Sequence, residues 1–119
     1  MKTILLVEDE EELRELLATE LRDSSLNVLE ASNGRQATEL MLGSAVDLVI
    51  TDLRMPGGDG FELLKFVREK NGANTKTILM SGFADCTAEH AKSLGADELL
   101  HKPFSLTQFM KVVEDLLKG

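Results

Sequence analysis

Short apolar runs alternate with amphipathic stretches five times along this chain. The runs are four or five residues long and cover residues 3–7, 27–31, 48–51, 77–81 and 98–101. Most of them lack the apolar–polar alternation of a half-exposed antiparallel strand, which indicates strands that are buried on both faces. The second run mixes Asn27 and Glu30 with Val28 and Leu29, so we expect it at an edge of the sheet.

The stretches between these runs have the spacing of amphipathic helices. An acidic first turn, residues 10–12, precedes a predicted apolar face in the first helix, formed by Leu13, Leu16, Leu17 and Leu21. The second helix is predicted to begin at the capping pair Asn33 and Gln36, the third at Asp59 and the fifth at Ser105. The fourth helix, roughly residues 85–94, has the weakest apolar side.

Strand–helix alternation with short connections predicts a parallel sheet with helices on both faces. Right-handed crossovers then bring the carboxyl ends of all the strands to one edge of that sheet. The pattern runs without a linker through all 119 residues. We therefore predict one domain, residues 1–119, with an α/β, doubly wound (βα)5 fold and a five-stranded parallel sheet.

Composition and charge exclude several classes of function. The chain has 21 acidic and 13 basic residues and a net charge of −8, which argues against binding to nucleic acid. Cys86 is the single cysteine, so no internal disulfide is possible and a reducing compartment is expected. No apolar stretch approaches the ~20 residues of a membrane span, and the amino terminus does not resemble a signal peptide. We expect a cytoplasmic protein without a membrane interaction.

The predicted strand ends carry side chains with compatible chemistry. Glu8 and Asp9 follow the first run, Asp52 follows the third, Ser81 ends the fourth and Lys102 follows the fifth. Parallel α/β sheets bind their ligands at this edge. Closely packed carboxylates repel one another unless a cation joins them, and Mg2+ typically takes one or two carboxylates together with a phosphate. The sequence therefore predicts a metal-assisted phosphoacceptor site, with Lys102 and Ser81 available to the phosphoryl oxygens.

Each of these residues also has a structural explanation when it is taken alone. Asp52 could cap a loop, and the pair Glu8-Asp9 could extend the acidic helix start. Ser81, followed by glycine, could mark a turn. The combination at four strand ends favours the phosphoacceptor interpretation.

These motifs resemble the response-regulator receiver family, the CheY-like domains of two-component signalling, and the resemblance covers all 119 residues. The matching segments are Glu8-Asp9, residues 51–56 with Asp59-Gly60, the switch hydroxyl Ser81, and residues 102–104. The resemblance implies the CheY-like, flavodoxin-like fold. It also implies phosphorylation of Asp52.

The same resemblance implies a ligand set for Mg2+. Asp9, Asp52 and the carbonyl of Arg54 would be direct ligands, and Glu8 would act through water. Lys102 would pair with the phosphoryl group, and the bond from Lys102 to Pro103 would be cis.

Partners and output are likewise implied by the resemblance. The phosphoryl donor would be a histidine kinase or a histidine phosphotransfer protein, and the aspartyl phosphate would shift an equilibrium between two conformations. The fourth helix, fifth strand and fifth helix would form the surface for an unidentified output protein or for a homodimer. The chain would catalyse only its own phosphorylation and dephosphorylation, so we do not expect an enzyme.

The chain departs from the family pattern at Leu99, where an aromatic residue is usual. We therefore hypothesise that activation relies on Ser81 and the fourth helix. Phe83, two residues beyond Ser81, is expected to restrict the attacking water and slow hydrolysis of the aspartyl phosphate.

Alternative functions remain open at this point. A phosphohydrolase resembling the haloacid dehalogenase group would carry Asp-x-Asp after the first strand, where this chain has Glu8-Asp9-Glu10. A pseudo-receiver would serve only as an interaction scaffold, independent of phosphorylation. Nucleotide binding is less favoured, because no Gly-rich loop follows the first strand.

Overall fold

A computed structural model describes residues 1–55, 59–82 and 87–118, except for the side chain of Ala73. Five strands and five helices alternate through these residues. The elements are β1 (Thr3–Val7), α1 (Glu11–Asp23), β2 (Asn27–Ala31), α2 (Gly34–Gly43), β3 (Leu48–Asp52), α3 (Gly60–Asn71), β4 (Lys76–Gly82), α4 (Ala88–Ser93), β5 (Glu98–Lys102) and α5 (Leu106–Lys118), with a short 3-10 helix (Gly72–Asn74) after α3.

The five strands form one parallel sheet in the order β2-β1-β3-β4-β5. This arrangement confirms the predicted doubly wound α/β fold and places β2 at an edge, as its mixed polarity predicted. Three strands continue one residue beyond the predicted end, because Asp52 pairs with Met80 and Gly82 pairs with Lys102. Backbone pairing does not require an apolar side chain, so the strands extend to the residues of the candidate site.

Apolar side chains fill both sides of the sheet. In β1, Ile4 and Leu6 face the side covered by α1 and α5, whereas Leu5 and Val7 face the side covered by α2 and α3. All four are fully buried, as expected for a strand whose side chains alternate between two covered faces. The sheet is therefore a rigid support for the residues that follow its strand ends.

Side-chain caps define the beginnings of three helices, as predicted. Asn33 Oδ1 accepts a hydrogen bond from the Gln36 amide at 2.9 Å, and Asp59 Oδ1 accepts one from the Glu62 amide at 2.9 Å. Ser105 Oγ accepts a hydrogen bond from the Gln108 amide at 3.0 Å. Each bond satisfies an amide that has no partner within its own helix.

The predicted apolar face of α1 is wrong at one position. Leu17 and Leu21 are fully buried, but Leu16 is 49% exposed. Ala18 completes the buried face instead, because α1 is rotated so that its buried face is centred on Leu17, Ala18 and Leu21.

The fourth helix is shorter than predicted. In the described residues, α4 covers Ala88–Ser93 and is capped by Thr87, whose side chain accepts a hydrogen bond from the His90 amide. The predicted beginning at Asp85 lies outside the described residues, as do Phe83 and Cys86. Ala91 is the buried residue of α4, in a small apolar cluster with Leu53 and Leu79 among others.

Candidate metal and phosphoacceptor site

Four of the predicted site residues meet at the carboxyl edge of the sheet. Glu8 and Asp9 follow β1, Asp52 ends β3 and Lys102 ends β5. Carboxylate oxygens of Glu8, Asp9 and Asp52 lie within 4.8 Å of one another. Lys102 Nζ donates to Glu8 Oε1 at 2.6 Å and to Asp52 Oδ2 at 3.1 Å. The parallel strands thus bring three acids and one base to a single point.

Glu8 is fully buried, and its polar groups have partners on several elements. Its amide donates to the Ala31 carbonyl of β2 at 3.0 Å, and its Oε2 accepts from the Glu10 amide at 3.2 Å. Burial raises the pKa of Glu8 from the usual 4.5 to about 7, against the lowering effect of the Lys102 hydrogen bond. Hydrogen bonding with Asp9 and the charge of Asp52 add to this rise.

Lys102 stays protonated in this environment. Burial disfavours its ammonium form, but hydrogen bonds to Glu8 and Asp52 outweigh that effect and raise the pKa of Lys102 above its ordinary value. The bond from Lys102 to Pro103 is cis, as the family resemblance implied.

The phosphoacceptor candidate Asp52 has a side chain that is 13% exposed. Its Oδ1 accepts a hydrogen bond from the Leu53 amide at 2.9 Å, while its Oδ2 faces Lys102. The Thr51 hydroxyl donates to the Asp52 carbonyl at 2.9 Å. One carboxylate oxygen is thus oriented by backbone, and the other lies beside a positive charge.

Gly60 allows α3 to begin close to Asp52. Its amide donates to the Leu53 carbonyl at 2.8 Å, which ties the helix to the residue after the candidate acceptor. A Cβ at this position would lie 2.5 Å from the Asp52 carbonyl oxygen and 3.0 Å from Leu53 Cα. Both are backbone atoms and cannot move aside as a flexible side chain would, so glycine is required here.

Ser81 ends the predicted fourth run, and Arg54 lies two residues beyond Asp52. Ser81 is 1% exposed, and its hydroxyl donates to the Gly82 carbonyl at 2.9 Å. It must therefore rotate before it can donate to a group on Asp52. Arg54 is exposed in the segment that follows Asp52. Phe83, which we expected to restrict the attacking water, lies outside the described residues.

Leu99 packs on the α4 side of the sheet. It is partly buried against the apolar cluster that contains Leu53, Leu79 and Ala91. An aliphatic side chain thus fills the place where the family usually has an aromatic ring. The part that Leu99 plays in switching stays a prediction.

Two further groups of the site were not predicted from the sequence. The Leu53 amide holds Asp52 Oδ1, and Arg14 Nη1 of α1 donates to the Glu8 carbonyl at 2.9 Å. In the sequence, the one feature that could have indicated a role for Arg14 was Glu30, an acidic residue inside a strand that requires a basic partner. Its carboxylate lies 3.4 Å from Arg14 Nε and 3.1 Å from Arg22 Nη1.

The acidic cluster fits Mg2+ by charge and by ligand type. Three carboxylates lie together and Lys102 pairs with two of them, Glu8 and Asp52, so an excess of negative charge remains when all are ionised. The raised pKa of Glu8 is a direct consequence of this burial and crowding. Oxygen ligands are those that Mg2+ prefers, and a divalent ion would relieve the repulsion.

Comparison with known proteins shows the family of this chain. Residues 4–114 match the response regulator receiver domain family. The sensor kinase CckA of Brucella abortus is 40% identical, in an alignment that covers 98% of this chain and 12% of that protein. The regulatory protein AtoC of Escherichia coli is 35% identical over 116 residues, 97% of this chain and 25% of that protein.

Solved structures agree with this result. The response regulator TrrA of Thermotoga maritima, in complex with Mg(2+)-BeF, is 34% identical and has a TM-score of 0.87, with 98% of this chain and 99% of that chain covered. The non-phosphorylated HemR receiver domain of Leptospira biflexa is 32% identical, with a TM-score of 0.91 and coverage of 100% and 96%.

The chain corresponds to only part of the length of its relatives. It spans 12% of the length of CckA and 25% of the length of AtoC. Among residues 1–55, 59–82 and 87–118, none of the helices is long and apolar enough to cross a membrane. The match over residues 4–114 and the agreement in fold establish that this chain belongs to the response regulator receiver domain family of two-component signalling.

Proposed function

We propose that Asp52 accepts a phosphoryl group from a phosphohistidine protein in a reaction that requires Mg2+. The observation that carries this proposal is the contact of Lys102 Nζ with both Glu8 and Asp52, next to Asp9. This arrangement supports the proposal, because a candidate acceptor, three neighbouring carboxylates and an ammonium lie close together. Membership of the receiver family supports it.

The metal would be held by Asp9, Asp52 and the Arg54 carbonyl, with Glu8 acting through water. When bound, Mg2+ would neutralise charge on the phosphoryl oxygens and on the acceptor carboxylate. The complex of the relative TrrA with Mg(2+)-BeF supports this assignment. It also rests on the crowding of the three carboxylates in the present structure.

The residues of the chain supply orientation and charge. The Leu53 amide fixes one oxygen of Asp52, so the carboxylate is presented in one direction. In the transfer, an Asp52 oxygen forms a bond to phosphorus as the bond from phosphorus to the donor imidazole breaks. Lys102 and a rotated Ser81 hydroxyl then stabilise the charge on the transferred group.

The output of this reaction is a change of conformation. The aspartyl phosphate biases an equilibrium between two conformations and alters the surface of α4, β5 and α5. An output protein or a second copy of the chain binds that surface. We infer that the donor is a histidine kinase or a histidine phosphotransfer protein in the cytoplasm, and that the chain turns over no other substrate. Residues 1–119 act as one domain in this proposal.

Intact mass after incubation with Mg2+ and acetyl phosphate tests the proposal. We expect one added phosphoryl group in the wild-type protein and none in Asp52→Asn or with EDTA. Asp59→Asn is the matched control, because asparagine caps a helix as well as aspartate does and residue 59 lies outside the acidic cluster. This control should be phosphorylated like the wild type.

A negative result would have two explanations that a second measurement separates. If NMR shows Mg2+ binding but no adduct accumulates, trapping with beryllofluoride distinguishes rapid hydrolysis from a phosphorylation-independent scaffold. Multiple turnover of an unrelated phosphate ester would instead support the phosphohydrolase alternative.

A further inference from the structure

A guanidinium in α1 contacts the backbone of the acidic pair. Arg14 Nη1 donates to the Glu8 carbonyl at 2.9 Å, which links α1 to the loop that follows β1. The Arg14 side chain is only 17% exposed. The carboxylate of Glu8 pairs with Lys102 instead. The contact with Arg14 therefore restrains the backbone at Glu8 and does not neutralise the carboxylate.

The Glu8 carbonyl belongs to the peptide bond between Glu8 and Asp9. Because a peptide unit is planar, a hydrogen bond to this oxygen also orients the Asp9 amide on the other side of the bond. The Glu8 amide is already held by the Ala31 carbonyl at 3.0 Å. Arg14 thus completes the restraint of the segment from which both metal-binding carboxylates project.

Arg14 is itself held in place by β2. Glu30 Oε1 lies 3.4 Å from Arg14 Nε, and Glu30 Oε2 lies 3.1 Å from Arg22 Nη1. Arg22 donates in addition to the Val28 carbonyl at 3.1 Å. The two arginines therefore share one acidic partner, but Arg14 alone has a hydrogen bond to the Glu8 carbonyl in the part of the chain described here.

We infer that Arg14 is a positioning residue for the divalent-cation site. It aligns the Glu8–Asp9 peptide so that the two carboxylates and Asp52 converge on one ion. This inference rests on the proposed function, in which these acids bind Mg2+. It adds a residue that neither binds the ion nor contacts the phosphoryl group.

The direction in which the Mg2+ affinity changes when Arg14 is replaced distinguishes positioning from simple electrostatics. Arg14 is a cation near an acidic cluster, so the loss of its charge alone would strengthen the binding of Mg2+. Loss of alignment would weaken that binding, because the ligands would no longer be fixed in one geometry. A decrease in affinity therefore identifies positioning.

The experiment compares Arg14→Gln, Arg14→Lys and Arg22→Gln by NMR titration with Mg2+ alone. Arg22→Gln is the matched control, since it removes the same charge from the same acidic partner. We expect the Kd to rise about tenfold in Arg14→Gln, the lower end of typical effects of outer-shell ligands. We expect a change below about twofold in Arg22→Gln. Arg14→Lys, which keeps a charged donor, should lie between the wild type and Arg14→Gln.

A second readout requires no metal. Hydrogen exchange of the Glu8 amide, which donates to the Ala31 carbonyl, should accelerate in Mg2+-free Arg14→Gln and stay unchanged in Arg22→Gln. An unchanged or lower Kd in a folded Arg14→Gln variant overturns the inference while leaving the proposed function intact. Absence of Mg2+ binding by the wild-type protein would overturn the proposed function, and the inference with it.

Discussion

Lys102 lies closer to Glu8 than to Asp52. Its Nζ is 2.6 Å from Glu8 Oε1 and 3.1 Å from Asp52 Oδ2. Glu8 is the fully buried partner, so the ammonium compensates first for the acid that has least access to water. A proton, a divalent cation and Lys102 are therefore alternative ways to stabilise Glu8, and this competition makes the site sensitive to pH.

The affinity for Mg2+ should increase with pH up to about 7. Glu8 has a pKa of about 7, above its ordinary 4.5, so it retains a proton at pH 6 that Mg2+ binding must release. We expect the affinity to rise by up to about tenfold per pH unit from pH 5.5 to 7 and to level off above this range. NMR titrations with Mg2+ at several pH values measure this pH dependence. Glu8→Gln should bind more weakly with a flatter profile, and a wild-type profile equally flat would contradict the assignment.

Substitution of Lys102 by methionine should destabilise the protein more at pH 8 than at pH 5. The folded pKa of Glu8 exceeds its unfolded value, so the stability that Glu8 contributes is present below pH 4.5 and lost as the pH rises through about 7. Without Lys102, the buried carboxylate of Glu8 has no cation beside it. We expect this to lower the free energy of unfolding by about 3 kcal/mol above pH 7, and by much less when Glu8 is protonated.

Urea unfolding without Mg2+ measures this difference. Lys111→Met, at an exposed position of α5, is the control and should have little effect at either pH. Equal losses at pH 5 and pH 8 in the Lys102 variant would show that the ammonium acts through packing and not through the charge of Glu8.

Gly60→Ala should impair both stability and phosphorylation. The added Cβ would lie 2.5 Å from the Asp52 carbonyl oxygen, so either α3 or the acceptor residue must shift. We expect a loss of about 1 to 3 kcal/mol in the free energy of unfolding and slower phosphorylation by acetyl phosphate. Gly43→Ala is the matched control, since a Cβ there meets nothing within 4 Å and alanine favours the helix. Wild-type behaviour of Gly60→Ala would show that this close approach is not needed.

Arg68→Gln should destabilise the fold without preventing phosphorylation. The guanidinium donates to the carbonyls of Gly95 at 2.9 Å and Thr75 at 2.7 Å, to the carbonyl of Gly72, and to Asp97 Oδ2 at 2.8 Å. These groups lie around the beginnings of β4 and β5, at the opposite edge of the sheet from Asp52.

Removal of these bonds should cost about 2 to 3 kcal/mol, because the partly buried acceptors lose their charged donor. The urea midpoint measures this cost, and intact mass measures phosphorylation. Arg35→Gln removes an exposed pair with Glu39 at 3.7 Å and should cost less than about 0.5 kcal/mol. A loss of the phosphoryl adduct in natively folded Arg68→Gln would reveal a coupling between the two edges.

Ser81→Ala should separate phosphorylation from switching. The hydroxyl now donates to the Gly82 carbonyl and has to rotate toward the phosphoryl group, so its removal leaves the acceptor intact. We expect a phosphoryl adduct by mass, but smaller beryllofluoride-induced NMR shifts in Ala88–Ser93 than in the wild type. A large, localised rotamer change of Leu99, with α4 shifts undiminished in Ser81→Ala, would instead assign the switch to the leucine.

Much of the fold and of the candidate site could be predicted because the relevant signals are local. Continuous apolar runs such as 3–7 indicate strands covered on both faces, and the caps Asn33 and Asp59 act on amides three residues away. A parallel sheet then places every strand end at one edge, so Asp52 and Lys102 meet without knowledge of any side-chain contact.

The tertiary structure alone decided the features that depend on how the elements pack. The rotation of α1 leaves Leu16 exposed and carries Arg14 to the Glu8 carbonyl. The raised pKa of Glu8 depends on burial by surrounding elements, and the orientation of Ser81 depends on a torsion that sequence spacing does not set. Periodicity determines which face of an element is apolar, whereas helix rotation, desolvation and side-chain torsions are set by the packing of residues distant in sequence.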